Sequence, residues 1–191
     1  MARWQPDGRR RLQDAALELY GERGFAEVTA AEVAAHAGLT ERTFFRHFAD
    51  KKEVLFGDET RLAEAIADAV RAAPPETSPM DAVLAGFAAL AESAHARRDR
   101  LLRRERIIEQ SAELRERELA KFAAWTGTLA DALRERGVAE AALVAEIAIA
   151  TGRVVFHRWI EADRPVPLDE AMREGFAVIR DFVSATVDRG R

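Results

Sequence analysis

Apolar residues recur at three- and four-residue spacing along nearly the whole chain, and no segment alternates apolar and polar residues with the β-branched enrichment that a strand requires. Leu12, Ala15, Ala16, Leu19 and Tyr20 show the pattern first, at i, i+3, i+4, i+7 and i+8, one stripe along a helix. A chain patterned this way buries its apolar residues by packing helix on helix, so the spacing predicts an all-α fold of about nine helices.

Capping and breaking residues divide that pattern. Gly24 closes the first helix. Thr29 with Glu32 three residues on forms a capping box for a short helix of Val33, Ala34 and Ala37, which Gly38 stops. Thr40 caps a third short helix through Phe44 and Phe45, and Asp50 with Glu53 opens a longer connector helix through Val54, Leu55, Leu62 and Ile66. The segment 73–79, APPETSP, cannot continue a helix, and Ser78 ahead of Pro79 restarts one. Further helices are predicted at about 79–96, 99–110, 112–136, 139–161 and 168–188. The organisation that follows is a trihelical domain over residues 1–52 and a larger helical body over 53–191.

Composition removes several classes of function. The 191 residues contain no cysteine, which excludes disulfide frameworks, thiol nucleophiles and cysteine-ligated zinc. The longest apolar run, Ala141 to Thr151, is interrupted by Glu146 and falls well short of the roughly 18 residues of a membrane span. No apolar segment follows the charged N-terminus, so neither a secretory signal nor a membrane partner is predicted and the expected location is cytoplasmic. His36, His47, His95 and His157 stand singly, and no phosphate-loop, nucleophile-elbow or dinucleotide motif is present. No catalytic residue, metal or cofactor is therefore assigned, and a small helical hydrolase or lyase stays only as the second reading.

Net charge is −4, but residues 1–52 carry nine Lys or Arg against eight acids. Arg3, Arg9, Arg10 and Arg11 face one aspartate at the start of the chain, a pattern that suits phosphate contact and equally a solvated helix start. The informative stretch is Thr29 to Lys52, TAAEVAAHAGLTERTFFRHFADKK: a short helix, a turn at Gly38-Leu39 and a second short helix. That is helix-turn-helix spacing, with small Ala34 and Ala37 where the helices touch and Gly38 where the turn needs positive φ. In such a unit the second helix enters the DNA major groove and its flanks grip phosphates. Thr40, Glu41, Arg42, Thr43 and Arg46 form the candidate reading face, with Thr29 and His47 as flanking contacts. Lys51, beside a helix N-terminus, is read as a phosphate clamp. Phe44, Phe45 and Phe48 are read chiefly as anchors of this helix on Leu19, Phe25 and Val33, and Phe45 also stands among the candidate DNA contacts. A helix-turn-helix used for protein contact, without DNA, is the alternative.

From Arg11 to Leu55 the chain resembles the DNA-binding domain of TetR-family transcriptional regulators. The resemblance is carried by the Ala-Leu helix, Gly24-Phe25, Thr29, Val33-Ala34, Ala37-Gly38 and the closing F-x-x-K. It implies a double-stranded DNA operator, a variable body of six or so helices whose last two pair with their mates in a homodimer, and a small-molecule pocket in the body. Where the family commonly carries Tyr this chain has Phe45, so a phosphate contact through that hydroxyl does not carry over.

Residues 141–160, AALVAEIAIATGRVVFHRWI, are apolar almost all round, and the last helix offers Met172, Phe176, Ile179, Phe182 and Val183 at helical spacing. Half of an intermolecular four-helix bundle fits that pair, with Ile147, Val154, Phe156, Phe176, Ile179 and Val183 as interface candidates; a larger monomeric core is the alternative. Phe87, Leu90, Ile108, Phe122, Trp125, Thr126 and Leu129 are candidates to line an effector site, and the same residues serve equally as plain core. The arginines between 97 and 106 read as a solvated face paired with Glu105 and Glu109, with contact to an anionic ligand group as the alternative. The sequence thus reads as a ligand-responsive transcriptional regulator, a repressor that binds a palindromic operator as a homodimer and is released by a small, mainly apolar effector.

Overall fold

A computed structural model describes residues 7–57 and 59–188, with side chains undescribed at 59 and from 183 on. Arg3 and the Val183 side chain lie outside what is described. Ten helical segments and no strand occur among the described residues: α1 (Gly8–Arg23), α2 (Ala30–His36), α3 (Glu41–His47), α4 (Glu53–Phe56), α5 (Glu59–Ala72), α6 (Pro79–Ala96), α7 (Arg98–Glu109), α8 (Ala112–Glu135), α9 (Ala141–Glu161) and α10 (Leu168–Asp188). Among them no helix is long and apolar enough to cross a membrane.

Local chemistry accounts for most helix limits. Thr29 Oγ1 accepts from Glu32 N and the Glu32 carboxylate accepts from Thr29 N, the reciprocal box that starts α2. Ser78 Oγ accepts from Asp81 N at 3.1 Å with Pro79 in the first turn, which starts α6. Beyond α8 the chain turns at Gly137, whose φ of 78° lies where a Cβ would be strained.

One limit differs from the expectation. The connector read as a single helix breaks at Gly57 into α4 and α5. Arg9 Nη2 donates to the Gly57 carbonyl at 2.6 Å, and a Cβ at Gly57 would meet the Arg9 guanidinium and lie 2.9 Å from the Phe48 ring. A carbonyl held by a side chain 48 residues earlier is withdrawn from the helix, so the turn forms there.

The chain groups into two compact units. In the first, α1 to α4 pack with residues 99–120, and its core joins Leu12, Ala16, Tyr20, Val33, Phe44 and Phe56 to Ile107, Ile108 and Leu114. This compact unit reaches beyond a boundary at residue 52, because α4, α7 and the start of α8 bury apolar side chains in the same core. Ile108, a candidate effector contact, is one of them.

The second unit holds residues 59–98 and those from 121 on. Its helices approach closely at glycines: a Cβ at Gly86 would sit 3.1 Å from the Ile66 backbone, and one at Gly152 would sit 2.7 Å from the Phe87 ring. Arg136 ties the end of α5 to the proline-rich loop, its Nη1 donating to Val70 O and Ala73 O (both 2.8 Å) and its Nη2 to Pro74 O and Thr77 O (3.0 and 3.1 Å). Phe176 is buried, its ring centroid 5.8 Å from that of Phe87. It therefore packs into its own chain and not onto a second copy, and Phe87 is core in the same cluster.

Candidate nucleic-acid interface

Helix α3 is built to be held on one side and open on the other. Thr40 Oγ1 accepts from Thr43 N at 3.2 Å and starts it; Gly38, at φ 65°, delivers the chain to that cap. Phe44 is fully buried and Phe48 nearly so, their rings 5.5 Å apart. Of the three phenylalanines expected as anchors, these two serve. Phe45 is 51% exposed, its ring edge-on to Phe44 at 5.4 Å.

The opposite side carries Glu41, Arg42, Phe45 and Arg46, all exposed. Arg42 and Arg46 make no hydrogen bond or ion pair with a described residue, so two full charges and their donors face solvent. Thr43 and His47 are half-buried beside them. Burial, followed by the nearby Arg46 and Arg9 charges, lowers the His47 pKa from its ordinary value, which favours the neutral imidazole.

Three other cations expected to contribute to phosphate binding are occupied by the main chain. Arg9 donates to His47 O (3.0 Å) as well as Gly57 O, its guanidinium 4.5 Å above the Phe48 ring. Arg11 donates to Ala37 O at the end of α2. Lys51 Nζ donates to Phe25 O (3.0 Å), Val28 O (3.2 Å) and Ala26 O (3.5 Å) and lies 4.2 Å over the Phe25 ring. This corrects the reading of Lys51 as a phosphate clamp: its ammonium has three hydrogens and three carbonyls take them. Tyr20 closes the same knot by donating from its hydroxyl to Lys51 O at 3.0 Å, and burial, then Asp50, pushes its pKa up. Arg10 stays exposed, 3.8 Å from Asp14.

Thr29 is exposed, but its hydroxyl works as the α2 cap. Glu32 in that box is drawn down to about 2 by the Thr29 N–H, then the Thr29 hydroxyl, then Arg23.

Residues 99–120 meet the helix-turn-helix region through charge. Arg104 donates to Leu55 O at 2.9 Å, pairs with Glu118 at 3.2 Å and lies 4.9 Å over the Phe56 ring. Arg117 pairs with Asp50 (3.0 Å) and Glu53 (2.8 Å), and Glu113 with Lys52 (2.8 Å). Arg100 pairs with Asp14. The stretch read as a solvated arginine face is thus partly internal: Arg104 is only 15% exposed. The i,i+4 spacing of its acids and bases hid this, because the partners lie on other helices.

Of the effector candidates, Phe87 and Leu129 are buried, while Leu90, Phe122, Trp125 and Thr126 are half-buried in the second unit. Phe122 and Trp125 meet edge to face at 6.0 Å, and the Arg153 guanidinium lies 5.6 Å from the Phe122 ring. The interface candidates scatter in the same way. Ile147, Phe156 and Ile179 are half-buried and Val154 is 47% exposed. Leu143 and Val178, more exposed at 57% and 66%, were missed. The spacing Leu143, Ile147, Ala150, Val154 carried the signal, since it marks one side of α9.

A capped helix, a glycine turn and a second helix presenting unpaired arginines, in a chain whose described residues otherwise form helices joined by short connections, define a helix-turn-helix DNA-binding regulator. Residues 12–57 match the family described as bacterial regulatory proteins, tetR family, and residues 77–184, more than half the chain, match the MftR C-terminal domain. The chain belongs to the TetR family of transcriptional regulators, with a C-terminal domain of the MftR type. It is 29% identical over 196 residues, 95% of each chain, to a candidate mycofactocin biosynthesis transcriptional regulator, MftR, of Mycobacterium tuberculosis. Its fold is also that of FadR from Thermus thermophilus, a TetR-family repressor solved in complex with lauroyl-CoA: 26% identity, TM-score 0.56, covering 89% of this chain and 92% of that one. The fatty acid degradation regulator FadR of Bacillus halodurans shares the fold at TM-score 0.64 and 17% identity, over 92% and 96% of the two chains. The protein is therefore a ligand-responsive, DNA-binding transcriptional regulator.

Proposed function

We propose that this regulator is a cytoplasmic repressor that binds a palindromic operator as a homodimer, with residues 1–52 as the DNA-binding domain and 53–191 as the effector-binding and dimerisation domain. The observation that carries the DNA part is the α3 surface, where Arg42 and Arg46 are exposed without a described partner while Arg9, Arg11 and Lys51 are tied to carbonyls. Arg42 and Arg46 read base edges or phosphates; Thr40, Glu41, Thr43, Phe45 and His47 line the same approach, and Thr29 borders it. Two copies place two such helices about 34–36 Å apart, or a multiple of that, for an inverted repeat.

Support for the dimer comes from the uncovered apolar stripe of Leu143, Ile147 and Val154 on α9 and Val178 on α10. The effector is small and mainly apolar, held by Leu90, Phe122, Trp125, Thr126 and Leu129. The relative solved with lauroyl-CoA supports a ligand with a long apolar part. Ligand that binds one conformation of the body better lowers operator affinity by that differential affinity, transmitted through α4 and α5.

Selection of duplexes from a random pool by the purified protein tests the reading. Recovery of an inverted repeat is expected, and Arg42→Ala should relax base choice at one position at a cost of about 1–3 kcal/mol. Equal recovery by a variant with Arg42 and Arg46 both changed to Ala would overturn it.

A further inference from the structure

The function so far places Phe45 on the DNA approach without giving it a role there. A large apolar ring half in water on an otherwise charged face is the wrong residue for a solvated surface and the wrong one for a phosphate contact, since it has no donor. Its neighbours decide how it can be used. Arg42 and Phe45 lie three residues apart and Phe45 and Arg46 one, so with Glu41 they form a continuous exposed patch along one side of α3. The ring is not loose: its edge-on contact with the fully buried Phe44 at 5.4 Å holds it on a fixed support. A preorganised apolar disc flanked by two guanidiniums matches one feature of the major groove, the 5-methyl group of thymine, which is the groove's apolar element among hydrogen-bonding edges.

We propose that Phe45 is a specificity-determining residue that reads a thymine 5-methyl group in the operator, next to the bases or phosphates that Arg42 and Arg46 engage. The inference rests on the DNA-binding reading of α3 and adds to it a base identity. The residue acts by burying the methyl group, with no hydrogen bond, so discrimination is confined to that methyl.

The test exchanges a single methyl on the DNA. Each thymine of the selected operator is replaced in turn by deoxyuridine, which keeps the pairing edge and removes only the 5-methyl, and affinity is measured for wild-type protein, Phe45→Ala and Phe45→Leu. One position per half-site should weaken wild-type binding roughly fourfold, the order expected for burying one methyl group. Phe45→Ala should bind thymine and uridine probes alike, and Phe45→Leu should keep part of the discrimination. Because Phe45 is 51% exposed, both variants should fold, which their circular dichroism checks. No uridine-sensitive thymine, or a sensitivity that survives in Phe45→Ala, overturns the assignment while the operator reading stands. Failure of the wild-type protein to select any duplex overturns both together.

Discussion

The two compact units leave different things unfinished. In the first, the apolar stripe of α1 to α4 is covered by its own helices and by Ile107, Ile108 and Leu114; within α1 to α4 Phe45 is the large apolar side chain left exposed, beside free cations on α3. In the second, exposed large apolar side chains gather on α9 and α10, at Leu143, Val154, Val178 and Phe182. The helix-turn-helix face of the first calls for a polyanion, although Leu119 in the same unit is also exposed; the α9 and α10 faces of the second call for an apolar surface. A single chain thus announces two kinds of partner by two kinds of exposed chemistry.

The largest effect should come from spoiling the apolar face. Leu143→Glu with Val178→Glu should convert the protein to a monomer in sedimentation at micromolar concentration, because each buried side chain of this size contributes about 1.5–3 kcal/mol and each appears twice across a two-fold axis. An unchanged dimer mass would show that the pairing surface lies elsewhere.

Next comes the Arg136 clamp in the same unit. Arg136→Ala removes four hydrogen bonds at once and should lower stability to urea by about 2–3 kcal/mol, part of the loss being offset where water reaches the loop carbonyls. Arg136→Lys should recover little, since a point charge cannot span carbonyls from residue 70 to residue 77. A full recovery by lysine would reduce the clamp to simple charge.

The smallest effect belongs to Lys51 in the first unit. Lys51→Met should lower stability by about 1–2 kcal/mol and leave the slope of operator affinity against salt unchanged, because its charge is engaged by Phe25, Ala26 and Val28. A slope reduced by about one per lost phosphate contact would restore Lys51 to the DNA interface.

What could be read in advance was whatever a few neighbouring residues decide. The starts of α2 and α6 and the end of α8 depend on Thr29 with Glu32, Ser78 with Pro79, and Gly137, all within one turn of the boundary. The break at Gly57 depends on Arg9, and the tie across the proline-rich loop depends on Arg136, each acting on a carbonyl far along the chain. A carbonyl has no sequence signature, so these contacts were invisible. The candidate DNA surface was legible at Arg42 and Arg46, where exposure follows from helical phase alone. Lys51 was misread because its nearest neighbour in sequence, a helix start, is not its partner in space. Phe176 was misread for a related reason: spacing identifies an apolar side of a helix but not which body covers it.

Because Arg9, Arg11 and Lys51 grasp main-chain oxygens, these three ties do not depend on which side chains α3 displays. Residues 41, 42, 45 and 46 can therefore be exchanged as a set without retuning the frame that carries them. That separation makes the protein a convenient chassis for retargeting, and it offers evolution a path by which operator sequence and recognition helix drift together while the fold stays as it is.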